Sequence, residues 1–435
     1  MSAWIWIVYP LPLLLIWGWQ WGRRHRVVIA SRAAHEQAKR IGAVEPNTLH
    51  PVVDAGLCVG CGACVAACPE QPQSQVLGLI DGKAELVSPG ECIGHGECRA
   101  ACPVGAISLV FGTQERGVDI PVLTGEFETN VPGIFVAGEL GGMGLIRNAV
   151  VQGREAIEAI ARRKRSRAGV LDVLIVGAGP AGFAASLTAK SLNLSYTTLE
   201  QESLGGCVFH YPRKKLVMTS PVDIPLVGKL EVRQTSKEEL LYFWGEVERR
   251  AELTIRYQER AESIVSQGGV FRVRSSKGEY RAAAVLLAIG RRGTPRKLGV
   301  PGEELSKVVY GLIDREQYAG QRVLVVGGGD SALEAATSLA EIDTTTVALS
   351  YRGEAFVRAR AANRARLEEA RKAGRLHVVL QSQVRRIATD NVIVERAGKL
   401  LRIPNEAVIV AAGGVLPTEF LRGVGVRIET KYGTA

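Results

Sequence analysis

The sequence predicts an α/β chain with two Rossmann-like dinucleotide-binding domains. Ahead of them it predicts a small α+β cysteine-rich domain and one N-terminal apolar helix. Three observations carry this. Two glycine-rich turns, each between an apolar strand and a helix start, begin at Gly177 and Gly327. Seven of the eight cysteines fall between Cys58 and Cys102. Residues 1–22 carry no charged side chain. At 435 residues the chain is long enough for about three cores. Its 46% hydrophobic and 23% charged content excludes a disordered chain and a polytopic membrane protein. The 49 glycines follow no collagen period, so they belong in tight turns and phosphate loops. A net charge of +10 permits an anionic partner. No basic-aromatic platform accompanies it, so nucleic acid is not expected.

The run Trp4–Trp21 would make a helix of roughly 27 Å, close to a bilayer's hydrocarbon thickness. Five of the six tryptophans lie at its two ends, as interfacial indoles do. Arg23, Arg24, His25 and Arg26 follow at once. Residues 1–22 are therefore expected to be a single transmembrane helix of the cytoplasmic (inner) membrane, N-terminus outside and catalytic domains in the cytoplasm. A buried core helix is the alternative. Residues 23–51 read as a basic juxtamembrane helix and linker. The basic run 162–167 reads as a solvated linker, with anionic lipid as its alternative partner.

Residues 52–112 hold two cysteine motifs. The first is Cys58-x2-Cys61-x2-Cys64-x3-Cys68-Pro69; the second is Cys92-x2-His95-x2-Cys98-x3-Cys102-Pro103. Thiolates at this spacing wrap three corners of an iron–sulfur cubane and send the fourth to another cluster, a pattern that fits zinc poorly. Between the motifs, Asp81-Gly82 separates two alternating apolar stretches, a hairpin signal. The whole resembles the bacterial two-cluster ferredoxins. That resemblance implies one 4Fe–4S cluster on Cys58, Cys61, Cys64 and Cys102. It implies a second on Cys68, Cys92, Cys98 and the residue at 95. The family has cysteine there; this chain has His95. Three readings stand open: His95 ligates a four-iron cluster, the site holds a 3Fe–4S cluster, or His95 only hydrogen-bonds nearby. A neutral imidazole ligand would raise the reduction potential, as in Rieske centres.

In the first glycine turn, Gly177, Gly179 and Gly182 form G-x-G-x-x-G after the strand LDVLIV, and Glu200 closes the next strand. The glycines allow the turn, the approach of a pyrophosphate and close helix packing; the acid binds ribose hydroxyls. In the second turn, Gly327, Gly329, Ser331 and Ala332 open the helix. The following strand ends at Ser350 with no acid, and Arg352 and Arg358 come soon after. Arginine forks bind a 2′-phosphate, so NADPH is favoured over NADH. Merely exposed arginines are the alternative.

Two such units about 150 residues apart resemble the thioredoxin-reductase-like flavoproteins. The stretches 285–303 and 408–418 resemble the two crossovers between FAD and NAD(P)H domains. The stretch 129–160 resembles the family's last FAD segment, whose helix start meets the flavin. The resemblance implies an FAD site of Gly177, Gly179, Gly182, Glu200, Gly206, Gly290, Gly138, Glu139, Arg147, Asn148 and Ala149, and a homodimer. In the family the 129–160 segment is C-terminal. Here it precedes the first glycine turn, so the flavoprotein reads as circularly permuted, with that segment docked in cis or exchanged between protomers. The implied domains are 113–168 (permuted FAD segment), 169–295 (FAD), 296–412 (NAD(P)H) and 413–435 (return to FAD). Glu139 stands where the family has Asp. Thioredoxin reductases carry C-x-x-C before the second turn, but 308–320 has no cysteine. The nearer resemblance is to ferredoxin–NAD(P) reductases of this type and, through 205–221, to bacillithiol-disulfide-reductase-like proteins.

The expected function is a membrane-anchored oxidoreductase. It passes electrons between NAD(P)H, FAD and two clusters, to or from a redox protein or membrane carrier. Hydride transfer needs no side-chain acid or base, so no catalytic residue is named. If the His95 cluster has the higher potential, it is the exit. Two alternatives remain: a low-molecular-weight disulfide reductase using Cys207, and a redox sensor.

Overall fold

A computed structural model describes residues 10–46, 49–142, 144–163, 169–213, 215–218, 222–230, 234–291 and 294–433. The chain divides into two compact units, 1–117 with 431–435, and 118–430.

The first unit begins with one helix, Pro10–Arg40. Gly22 lies at the change from apolar to basic residues without interrupting the helix. The anticipated boundary at residue 22 is therefore absent, and the helix continues to Arg40. Residues 1–9 of the expected spanning segment lie outside the described residues. Among the described residues no helix is long and apolar enough to cross a membrane. Leu14, Leu15, Ile16, Trp17, Trp19 and Trp21 are all exposed. The C-terminal half of the helix packs on the hairpin Leu77–Ile80 and Lys83–Leu86. Ser31 Oγ donates to Val27 O and accepts from Leu79 N at 3.2 Å. A Cβ at Gly78 would lie 2.5 Å from Ser31, so only glycine lets the helix seat. Asp81 and Gly82 both have positive φ, the turn that an Asp-Gly pair favours. Strands His50–Val53 and Ile107–Val110 pair antiparallel.

The second unit holds two parallel-cored sheets. In the first, Leu171–Val176 lies between Tyr196–Leu199 and Glu279–Leu287, and antiparallel strands 261–267 and 270–275 extend the edge. Strand Ile134–Val136 joins it parallel to 285–287. Helix Ile146–Ala161 packs on helix Pro180–Ser191. Strand Ile428–Lys431 pairs with Val118–Pro121. Segment 118–161 thus adds a strand to the first sheet and a helix packed beside it. The second sheet has the order 308–309, 407–410, 322–326, 346–350, 376–379, all parallel. Where the chain crosses between the sheets, Thr294–Pro295 pairs antiparallel with Gly414–Val415. The basic run 162–167 falls largely outside the described residues.

Candidate functional site

The cysteines form two separate groups. Cys58, Cys61, Cys64 and Cys102 line one pocket of about 310 Å³ with Val53, Val59 and Ile107. Cys68, Cys92, His95 and Cys98 line another of about 360 Å³ with Glu70 and Leu77. The fourth cysteine of each motif has crossed to the other group. The local cause is a repeated backbone. Gly60 and Gly62 flank Cys61, Gly94 and Gly96 flank His95, and all four have φ between +65° and +84°. Gly62 and Gly96 each cap a short helix carrying the next cysteine, Ala63–Ala67 and Glu97–Ala100. Residue 95 therefore stands on the same backbone as residue 61.

Among the described residues no three His, Cys, Asp or Glu side chains converge to hold a single metal ion. Four donors ringing a cavity suit a cluster, whose own iron and sulfide fill the space, rather than one zinc. Ala84 N donates to Cys58 Sγ and Ala106 N to Cys102 Sγ. Burial pushes the Cys64 and Cys92 thiols up to about 11, and raises those of Cys68 and Cys98. Metal must displace those protons on binding. His95 Nε2 lies 3.9 Å from Glu70 Oε1, and both side chains are about four-fifths buried.

In the first glycine turn Gly177 has φ +103°, and a Cβ there would lie 2.5 Å from Ala288 O. A Cβ at Gly182 would lie 1.8 Å from Gly177 O. Gly179 faces Gly206, whose Cβ would meet Gly179 Cα at 3.1 Å. Glu200 is buried; its carboxylate accepts from Ala178 N at 2.7 Å and Glu202 N at 2.9 Å. Burial raises its pKa in spite of those bonds. Gly138 closes on the same helix start, 3.0 Å from Ala181 Cβ for an added Cβ and 3.6 Å from Ala149 Cβ. Glu139 and Asn148 are half-buried and Arg147 is exposed around it. Gly290, at φ +66°, follows two residues after Ala288. These groups lie at the C-terminal ends of the parallel strands, where nucleotides bind in such sheets. Two contributors escaped the motif reading. Gln152 Oε1 accepts from Gly138 N at 2.8 Å. Gly153 lets the two helices touch. Helical spacing from Ala149 was the available signal. Cys207 lies in the short turn Gly206–Val208, is half-buried and forms no disulfide.

In the second turn Gly327 abuts Ala411 O, Ala332 is fully buried, and Gly329 and Ser331 face open space or solvent. Arg352 and Arg358 are exposed. Asp330 Oδ1 accepts from Arg360 N and Asn363 Nδ2, pinning the arginine loop to the helix start.

Residues 174–434 match the family model of pyridine nucleotide-disulphide oxidoreductases, and residues 50–103 match the 4Fe-4S dicluster domain. The chain belongs to the pyridine nucleotide-disulphide oxidoreductase family. This oxidoreductase is 33% identical over 274 residues to a ferredoxin--NADP reductase of Thermus thermophilus, covering 59% of this chain and 77% of that one. It is 30% identical over 269 residues to one from Ignicoccus hospitalis, covering 60% and 83%. A solved structure of the bacillithiol disulfide reductase Bdr from Bacillus cereus superposes with TM-score 0.53 at 26% identity, over 59% and 81%. The protein is thus a flavin and iron–sulfur oxidoreductase similar to ferredoxin–NADP reductases, with FAD, NADPH and iron–sulfur clusters as its cofactors. The glycine cradles, the buried Glu200 and the two thiol-lined pockets fit those groups.

Proposed function

We propose that this oxidoreductase is tethered to the cytoplasmic face of a membrane and moves electrons between NAD(P)H and a separate redox carrier through FAD and two clusters. The observation that carries the reading is two distinct ligand tetrads in a chain that also holds two phosphate cradles. Bound FAD supplies the exchange between two-electron nicotinamide chemistry and one-electron cluster chemistry. Gly177, Gly179 and Gly182 admit its pyrophosphate to the helix start, and Glu200 holds the adenosine ribose. Gly138, Glu139 and the helix start at Arg147, Asn148 and Ala149 take the flavin end. Gly327, Gly329, Ser331 and Ala332 receive the nicotinamide nucleotide's phosphates. Cys58, Cys61, Cys64 and Cys102 hold one 4Fe–4S cluster; Cys68, Cys92 and Cys98 hold the other, with His95 as fourth ligand.

A circular permutation accounts for the chain order. In support, segment 118–161 supplies a strand and a helix to the first sheet, and linear comparison leaves about a fifth of each relative unmatched (100 − 83 = 17% and 100 − 77 = 23%). Membrane tethering is supported by the uncharged residues 1–22 and the exposed Leu14–Trp21 face. Anaerobically purified protein is expected to hold one FAD and about eight iron and eight sulfide per chain, two cubanes' worth. Stoichiometric zinc without sulfide would overturn the cluster assignment. Deleting residues 1–22 should move the protein from washed membranes to the soluble fraction; unchanged partition would remove the tether.

A further inference from the structure

The two nucleotide turns share strand register and backbone hydrogen bonding, and the match places the specificity position at Tyr351, one residue beyond Ser350. Val176 pairs with Leu199, and Val326 with Ser350. Gly177 N donates to Leu199 O, and Gly327 N to Ser350 O. Gly179 and Gly329 both cap their helices in extended conformation. Glu200 N donates to Arg256 O on the neighbouring strand side, and Tyr351 N to Val379 O. Glu200 therefore corresponds to Tyr351, and Ala178 to Gly328.

At the first turn the carboxylate of Glu200 reaches Ala178 N. At the second, the Tyr351 ring lies flat on Gly328, where a Cβ would fall 2.2 Å from the ring. Gly353 borders the other edge, at 2.6 Å by the same measure, and Phe356 stacks on the ring with centroids 5.2 Å apart and planes at 18°. Two glycines and one aromatic ring thus hold this side chain against the turn. Its hydroxyl has no hydrogen-bond partner among the described residues. A carboxylate at this position binds a ribose 2′-hydroxyl and repels a 2′-phosphate. A tyrosine removes the repulsion and adds a donor beside Arg352.

We propose that Tyr351, seated on Gly328 where the first turn carries Glu200, is a specificity-determining residue that selects a 2′-phosphorylated nicotinamide nucleotide through its hydroxyl and its lack of charge. This rests on reading the second turn as the nicotinamide nucleotide site. The test is calorimetric titration of the full-length holoprotein with adenosine 2′,5′-bisphosphate and with ADP, alongside the KM for NADPH and NADH. Tyr351→Phe should weaken 2′,5′-bisphosphate about three- to tenfold, one hydrogen bond's worth, and leave ADP unchanged. Tyr351→Glu should weaken it at least about tenfold and lower the KM for NADH. Equal binding of 2′,5′-bisphosphate by wild type and Tyr351→Phe would overturn the role of Tyr351, whether or not the glutamate variant folds. Wild type that binds neither probe would instead overturn the reading of the turn itself.

Discussion

Gly153→Ala tests whether the permuted helix builds the flavin site. Gly153 sits in helix Ile146–Ala161 where it crosses helix Pro180–Ser191. A Cβ there would lie 2.0 Å from Ala181 O and 2.8 Å from Ala181 C, and ordinary contact begins at 3.4 Å. The helices must part by about 3.4 − 2.0 = 1.4 Å, against backbone that cannot swing away. Overpacking of this kind costs about 1–3 kcal/mol, offset by about 0.5–1 kcal/mol of helix propensity gained with alanine. Ala181 is also the second residue of the helix that meets the FAD pyrophosphate, and Gln152 next door holds Gly138 N. Displacement should therefore show in cofactor retention before it shows in global unfolding. The assay is FAD per chain after gel filtration, with a thermal midpoint by flavin fluorescence. Gly245→Ala is the control: Gly245 lies inside helix Lys237–Ala251 with nothing within 4 Å of an added Cβ. It should hold FAD fully and be as stable as wild type or slightly more so. Gly153→Ala should lose FAD and melt roughly 2–8 °C lower. Equal FAD content and midpoints for the two variants would refute the reasoning.

His95→Cys should add a thiolate to the second cluster and lower one potential in an EPR redox titration, leaving the other in place; two unchanged potentials would remove His95 as a ligand. Cys207→Ser should leave NADPH-dependent cluster reduction unchanged, and a loss of it would bring the disulfide-reductase alternative forward. The Glu303 carboxyl is pushed up by burial, but hydrogen bonds from Leu298 N, Tyr310 and Gly299 N outweigh this and hold it below the usual range. A depressed carboxylate stabilises above its unfolded pKa of about 4.3 and loses that contribution as pH falls through the folded value. Amide exchange at residues 298–303 should therefore accelerate more steeply below about pH 4.3 than in Glu303→Gln, and identical acid profiles would contradict it.

The cysteine tetrads and the glycine turns were legible because their chemistry is local. Cys58-x2-Cys61-x2-Cys64 needs only spacing, and Gly177 or Gly182 only the absence of a Cβ. The crossing of Cys68 and Cys102 between pockets was legible too, since the Cys-x2-Cys-x2-Cys-x3-Cys-Pro spacing sends its fourth thiolate to another cluster. What escaped depends on register or on packing between distant segments. Tyr351 lies one residue beyond the strand end at Ser350, and only the pairing of Val326 with Ser350 aligns it with Glu200. Gly153 and Gln152 look like ordinary helix residues until Ala181 and Gly138 are brought against them. The helix runs through residue 22 because a change from apolar to basic residues alters the solvent a helix prefers, not its backbone.

The most direct measurement is an anaerobic NADPH titration of the intact protein, with flavin absorbance and cluster EPR followed together. Reduction of at least one cluster, tracking the nucleotide added and abolished by Gly327→Asp, is the predicted result. Flavin that bleaches while both clusters stay oxidised at every NADPH level would contradict an internal electron path.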